Sequence, residues 1–198
     1  MRIKSTWFKE GREHTPEELA GAIAFNVYRI ADNALKHTRK ADFAIAVGPQ
    51  YFAFLDEFLV FLIQVADRIA FRRMSGEQRY AFTSALANHV AGTHAENESR
   101  LLGKEQGACK QRFIDLLNQR AAEYAEFGYD EQGPDFSFMR YLGYCMDQVM
   151  DEKDNGWIID QMMSIAAPEA VEFLEKAFRN LMETEPRPAR RRAVTSGD

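Results

Sequence analysis

Cysteine is nearly missing from this chain. Only Cys109 and Cys145 occur among 198 residues, which excludes a disulfide framework and any thiolate metal cluster. Two lone thiols fit a reducing, cytoplasmic setting. A secretory core of 7 to 15 apolar residues is lacking in the first fifteen positions, where Arg2, Lys4, Lys9, Glu10, Arg12 and Glu13 surround Trp7 and Phe8. Also lacking is an apolar run free of charge. The greasiest stretch, Tyr51 to Phe71, contains Asp56, Glu57, Asp67 and Arg68. Each such charge at the centre of a membrane helix costs about 2.5 to 3.5 kcal/mol. The stretch is therefore expected to be the buried central helix of a protein without a membrane span.

Glycine spacing removes another group of functions. No two glycines are separated by a single residue, so neither a phosphate-cradling loop nor a dinucleotide fingerprint can be written. A serine nucleophile elbow is absent too. The four histidines fail the metal patterns one by one. The residues three before His14, His37, His89 and His94 are Gly11, Ala34, Leu86 and Ala91, whereas a di-iron bundle needs glutamate there. No two histidines flank a glutamate at four-residue spacing, as a zinc-protease helix requires. His94 and Glu96 have zinc-deaminase spacing, but the downstream cysteine pair is missing. No cofactor and no metal are expected.

The formal net charge is −5. Arg187, Arg190, Arg191 and Arg192 against Asp198 place +3 in the last thirteen residues and leave −8 for residues 1–185. Nucleic acid is an unfavourable partner for so acidic a body. Residues 186–198 carry too little apolar area to offset ordering entropy, with only Ala189, Ala193 and Val194 beside two prolines, so they are expected to be a disordered Arg-rich tail behind a single helical domain, 1–185.

Helix-start signals are abundant. Thr15, Pro16 and Glu18 predict a helix from Pro16 to about Arg39; Gly48 and Pro49 open a second, to about Arg73; Ser75 and Gln78 open a third, ending near Leu102 and Gly103. A fourth runs from about Glu105 to Phe127. Asp135 caps a fifth that ends near Asp154, a short sixth spans Trp157 to Ala167, and Pro168 starts a seventh, to about Met182. Apolar residues recur at three- and four-residue spacing, as in Leu19, Ile23, Val27 and Ile30, while period-2 alternation is absent. The fold class is all-α, a bundle of six or seven helices, with only the first ten or so residues open to being extended.

Two places could carry chemistry. On the second helix, Asp56, Glu57, Gln64, Asp67 and Arg68 fall within an arc of about 120° on an otherwise apolar surface. That stripe either lines a cleft or pairs with a neighbouring helix. Asp56 and Asp67 stand roughly 16 Å apart along the axis, too far to be a catalytic pair. On the third helix, the stripe Phe82, Leu86, Val90 is read as continuing through Thr93 and Asn97 to Leu101, flanked by His89 and Glu96. A buried stripe that turns polar needs partners or a lined cavity, because each unpaired buried group costs about 1 to 3 kcal/mol. His89 alone also fits a packed histidine bonded to a backbone carbonyl. His94 and Glu98 read as a solvated pair, and His37 as a cation on a helix C-terminus.

Fifteen phenylalanines, together with Met139, Met146, Met150, Met162 and Met163, make a pliable core with apolar area to spare for a ligand or a homodimer. No motif assigns a family. The expected function is non-catalytic binding of a protein partner or a small apolar ligand. The competing expectation is an enzyme combining Asp56, Glu57 or Asp67 with His89, Thr93, Glu96 and Asn97 between the second and third helices, metal-assisted if a divalent ion binds there.

Overall fold

A computed structural model describes residues 14–182. The Arg-rich tail and the extended start expected from the sequence lie outside these residues. The elements in chain order are α1 (Pro16–Lys40), α2 (Pro49–Phe71), α3 (Gly76–Leu102), α4 (Gln106–Tyr124), a two-residue hairpin of β1 (Tyr129–Asp130) and β2 (Gly133–Pro134), α5 (Phe136–Asp147), α6 (Trp157–Gln161), a π-helical turn (Met162–Ala166) and α7 (Ala167–Met182). The architecture is an all-α bundle.

The starts follow capping chemistry. Thr15 Oγ1 accepts from the Glu18 N–H at 3.2 Å while the Glu18 carboxylate accepts from the Thr15 N–H, and Ser75 with Gln78 does the same for α3. Asp135 accepts from the Phe138 N–H at 2.7 Å to open α5. Gly103, at φ 68°, ends α3 in the left-handed conformation that favours glycine.

The second helix is the core. Fifteen of its 23 residues are buried, Asp56 and Glu57 among them. Its phenylalanines join the other helices through ring contacts. Phe58 and Phe61 lie 5.9 Å apart, Phe61 meets Phe138 of α5 at 5.8 Å, and Phe138 meets Tyr124 of α4 at 4.6 Å. Around α2, α1 packs along both α3 and α7, and α3 along α4. No helix among the described residues is long and apolar enough to cross a membrane.

Three elements differ from the sequence reading. The turn-rich stretch after α4 closes as an antiparallel bridge, with Tyr129 opposite Pro134. The fifth helix stops at Asp147 rather than near Asp154 because its acidic residues are spent on the loop: Asp147 accepts from the Gly156 N–H at 2.7 Å, and Asp154 from the Ala44 N–H at 3.0 Å. Pro168 does not open a separate helix either. It lies in the first turn of α7, directly after the π-helical turn, so α6 to α7 is one continuous helical run. A proline has no N–H to give the carbonyl four residues back, and the wider i→i+5 turn absorbs that defect without breaking the rod.

Close packing is testable at the glycines. A Cβ on Gly143 would lie 2.9 Å from Ile159 Cγ2 and 3.3 Å from Ile159 Cα, whereas one on Gly92 would meet nothing within 4 Å. Gly92→Ala is expected to stabilise the fold by about 0.5 to 1 kcal/mol. Gly143→Ala overpacks the α5–α6 contact and costs about 1 to 3 kcal/mol. Urea midpoints of the two variants check this, and equal shifts would show that α5 and α6 do not approach so closely.

Candidate functional site

The carboxylates of α2 each meet a different partner. Asp56 accepts from Nη1 and Nη2 of Arg112 on α4 and faces His94 Nε2 at 2.8 Å. Glu57 takes a two-point contact from Arg120, at 3.0 and 2.8 Å. Asp67 is clamped by Arg79 and by the Thr83 hydroxyl, both on α3. The stripe pairs with neighbouring helices through Asp56, Glu57 and Asp67, and its far end, Gln64 and Asp67, also lines a hollow of about 520 Å³ against α3. Arg68 donates to the carbonyls of Tyr124 and Phe127, at 3.0 and 3.4 Å, and so caps the end of α4.

The histidine that Asp56 meets is His94, not His89. His94 and Glu98, expected as a solvated pair, are 0% and 1% exposed. Glu98 is held by Arg112 at 2.7 Å and Lys104 at 2.8 Å. The reason is periodicity: Phe82, Leu86, Val90, His94 and Glu98 form an unbroken four-residue series, and burial follows it rather than turning through Thr93, which is exposed. Arg112 supplies the charge that makes such burial tolerable. Glu96 leaves the candidate set. It is 60% exposed and faces only Arg100, at 3.9 Å. Leu101 is likewise exposed.

His94 is packed among the rings of Tyr28, Phe52 and Phe113, with centroids 5.3 to 6.1 Å away. Its Nδ1 has no hydrogen-bond partner among the described residues. In the tautomer whose Nε2–H points at Asp56, Nδ1 is an acceptor, a cheaper orphan than an unpaired N–H. Sequence reasoning missed this network. The four-residue series would have revealed His94, but nothing in the pattern singles out Arg112 or Arg120.

The remaining candidates come together. His89, Thr93 and Asn97 share one wall of a groove of about 750 Å³ between α1 and α3, with Tyr28 and Tyr51 opposite. His89 is exposed rather than a core histidine, and its ring lies over Gly21, 3.7 Å from where a Cβ would stand. Asn97 Nδ2 donates to the Tyr28 hydroxyl at 2.9 Å. Burial pushes the Tyr28 phenol up to about 12, opposed by the Asn97 contact. Burial, then Asp32, also raises Tyr51. Both phenols are thus neutral O–H donors, and no acceptor for the Tyr28 proton is present among the described residues.

No trio of His, Cys, Asp or Glu among the described residues is placed to hold a metal ion. Burial, then Glu98, raises Cys109, while burial, then Glu57, raises Cys145. Both stay thiols, which are poor nucleophiles.

The Glu98 cluster has a pH signature. Burial pulls its pKa up, but Lys104 and Arg112 together hold it below the ordinary 4.5. A lowered carboxylate contributes stability that is complete above its unfolded value and lost as pH falls from about 5 through the lower folded value. Glu98→Gln should flatten that part of the acid-unfolding curve. Arg112→Ala leaves Asp56 with His94 alone and Glu98 with Lys104 alone, costing about 2 to 4 kcal/mol given the exposed edge of the guanidinium. Chemical denaturation across pH 3 to 7 reads both, and an unchanged slope in Glu98→Gln would refute the coupling. No protein-family model, curated protein or solved structure matches the chain.

Proposed function

We propose that this chain is a non-catalytic ligand-binding protein. Its ligand is a small, largely apolar molecule carrying a hydrogen-bond acceptor, held in the groove between α1 and α3. The observation that carries this reading is the half-buried Tyr28 phenol on the groove wall, steadied by Asn97 and with its proton still to give among the described residues. The groove volume of about 750 Å³ falls within the usual range for small-molecule sites, about 300 to 1,000 Å³. Phe25 and Leu101 give the same groove apolar lining.

The competing enzyme reading, with or without a metal ion, draws no comparable support. It needs a carboxylate able to take or give a proton beside His89, whereas Asp56, Glu57 and Asp67 are each engaged by an arginine.

The homodimer remains part of the proposal. Phe136 and Tyr144 are both well exposed on α5, and Phe71 and Tyr80 flank the α2–α3 turn; aromatic residues so placed favour association. The expected mass in solution is twice that of the 22.7 kDa chain. A monomer at micromolar concentration by light scattering would remove the dimer and leave the groove untouched.

The ligand proposal is tested with acetophenone, which has an acceptor, against ethylbenzene, which has none. Amide shifts on titration should map acetophenone to α1 and α3. Tyr28→Phe should weaken it about fivefold, the value of one hydrogen bond of about 1 kcal/mol, and leave ethylbenzene unchanged. Equal loss of both probes, or shifts elsewhere in the bundle, would sink the reading.

A further inference from the structure

A second groove lies on the other side of α1. It measures about 380 Å³, and its walls are α1 and the continuous run from α6 through the π-helical turn to α7. The two walls run antiparallel, as three tethers show. The Ala44 N–H is held by Asp154, Ala41 to Phe43 share a hollow with Trp157 and Gln161, and His37 faces Glu169 at 3.9 Å.

Small side chains make the space. Ala34 on α1 and Ala166, Ala170 and Ala177 opposite line the trough, with Ile30 on the α1 side. Ile165 and Phe173 stand on its lip, 46% and 58% exposed. The π-helical turn ends at Ala166, so the trough begins where the extra residue per turn shifts side chains out of α-helical register. Such turns recur at binding sites.

The ends of the trough differ in charge. At one end His37 faces Glu169. Eight residues back along α1 and seven forward along α7, a distance of about 10 to 12 Å, the antiparallel walls bring Arg29 and Lys176 to the other end. Neither has a carboxylate partner among the described residues; Arg29 has only the Phe25 ring beside it, at 6.0 Å. On an acidic body, a trough lined by alanines, Ile30 and amide side chains thus has at one end two cations that meet no carboxylate among the described residues. Arg29 offers a planar fork that matches a carboxylate.

We infer that this groove binds an aliphatic monocarboxylate of medium chain length, its carboxylate at Arg29 and Lys176 and its alkyl chain along the alanines toward His37. The site shares Arg29 with the Tyr28 groove but otherwise has its own walls, and the inference does not rest on a ligand in that groove.

The experiment titrates the full chain with hexanoate, octanoate, decanoate and decanol, following binding by calorimetry and amide shifts. Affinity should rise about fourfold per added methylene, the equivalent of about 0.8 kcal/mol each. Decanol should bind more weakly than decanoate. Lys176→Met should lower decanoate affinity about three- to fivefold and leave decanol unchanged. Ala177→Leu should block the trough to both, and Phe173→Ser, at an exposed position, gives the same direction of effect without enlarging any side chain. Tyr28→Phe should change none of these values. Decanol binding as tightly as decanoate, a flat chain-length series, or shifts that map to α1 and α3 instead of α1 and α7 would overturn the inference. A Lys176→Met protein that keeps full decanoate affinity would do so too.

Discussion

Everything else in this fold depends on a helix that is buried over most of its surface and still carries charge. The second helix is dry through its middle, yet it holds Asp56 and Glu57 there and Asp67 and Arg68 nearer its accessible end. Isolated charges in such surroundings would cost several kcal/mol each. The neighbours must bring counter-charges to fixed heights, and those requirements settle the arrangement. Arg112 and Arg120 set α4 against α2, Arg79 sets the start of α3, and Arg68 reaches back to finish α4. Ring stacking supplies cohesion, while the ion pairs supply register. Sliding α4 by one turn would keep most apolar contacts but would strand two carboxylates.

The same constraint separates structure from function. A polar stripe on an apolar helix invites a catalytic reading, and the three carboxylates looked like its material. Each is consumed in holding a neighbour. What is left for binding lies where α1 side chains reach the two grooves: Tyr28, bonded to Asn97, on one side, and Asn33 with His37, which faces Glu169, on the other. Arg29 lines both grooves. The first helix therefore does a different job from the second, since it is fixed by its buried apolar face and its polar side chains remain available.

Local signals were legible from residues alone. Capping boxes at Thr15 and Ser75, the Asp135 cap and the Gly103 terminus are short-range events, complete within four residues, and they mark the helix ends correctly. The central burial of α2 followed from its composition. The misreadings share a cause: they need knowledge of what lies opposite. Asp147 and Asp154 look like helix surface until Gly156 and Ala44 claim them. His94 and Glu98 sit on the four-residue series of α3, but the Arg112 that makes their burial tolerable comes from a helix whose placement no periodicity encodes. Of the candidate residues, His89, Thr93 and Asn97 do share one groove, but their partner Tyr28 is 69 residues from Asn97 in sequence. No spacing rule on one helix could have named it.

One contact ties the buried network to the groove above it. Tyr28 presents its hydroxyl to the groove wall, while its ring packs on the ring of His94, which Asp56 holds from below. The phenol is thus seated on a side chain that α2 and α4 jointly fix through Arg112. Preorganisation of this kind lowers the ordering cost of binding, because the donor does not need to be immobilised when a ligand arrives. It also gives the orphaned Nδ1 of His94 a rationale. A donor placed there to satisfy it would have to enter the aromatic packing of Tyr28, Phe52 and Phe113 and loosen the seat. Among the described residues the fold leaves this Nδ1 and the Tyr129 hydroxyl without a partner in its interior, and it holds the half-buried Tyr28 donor still.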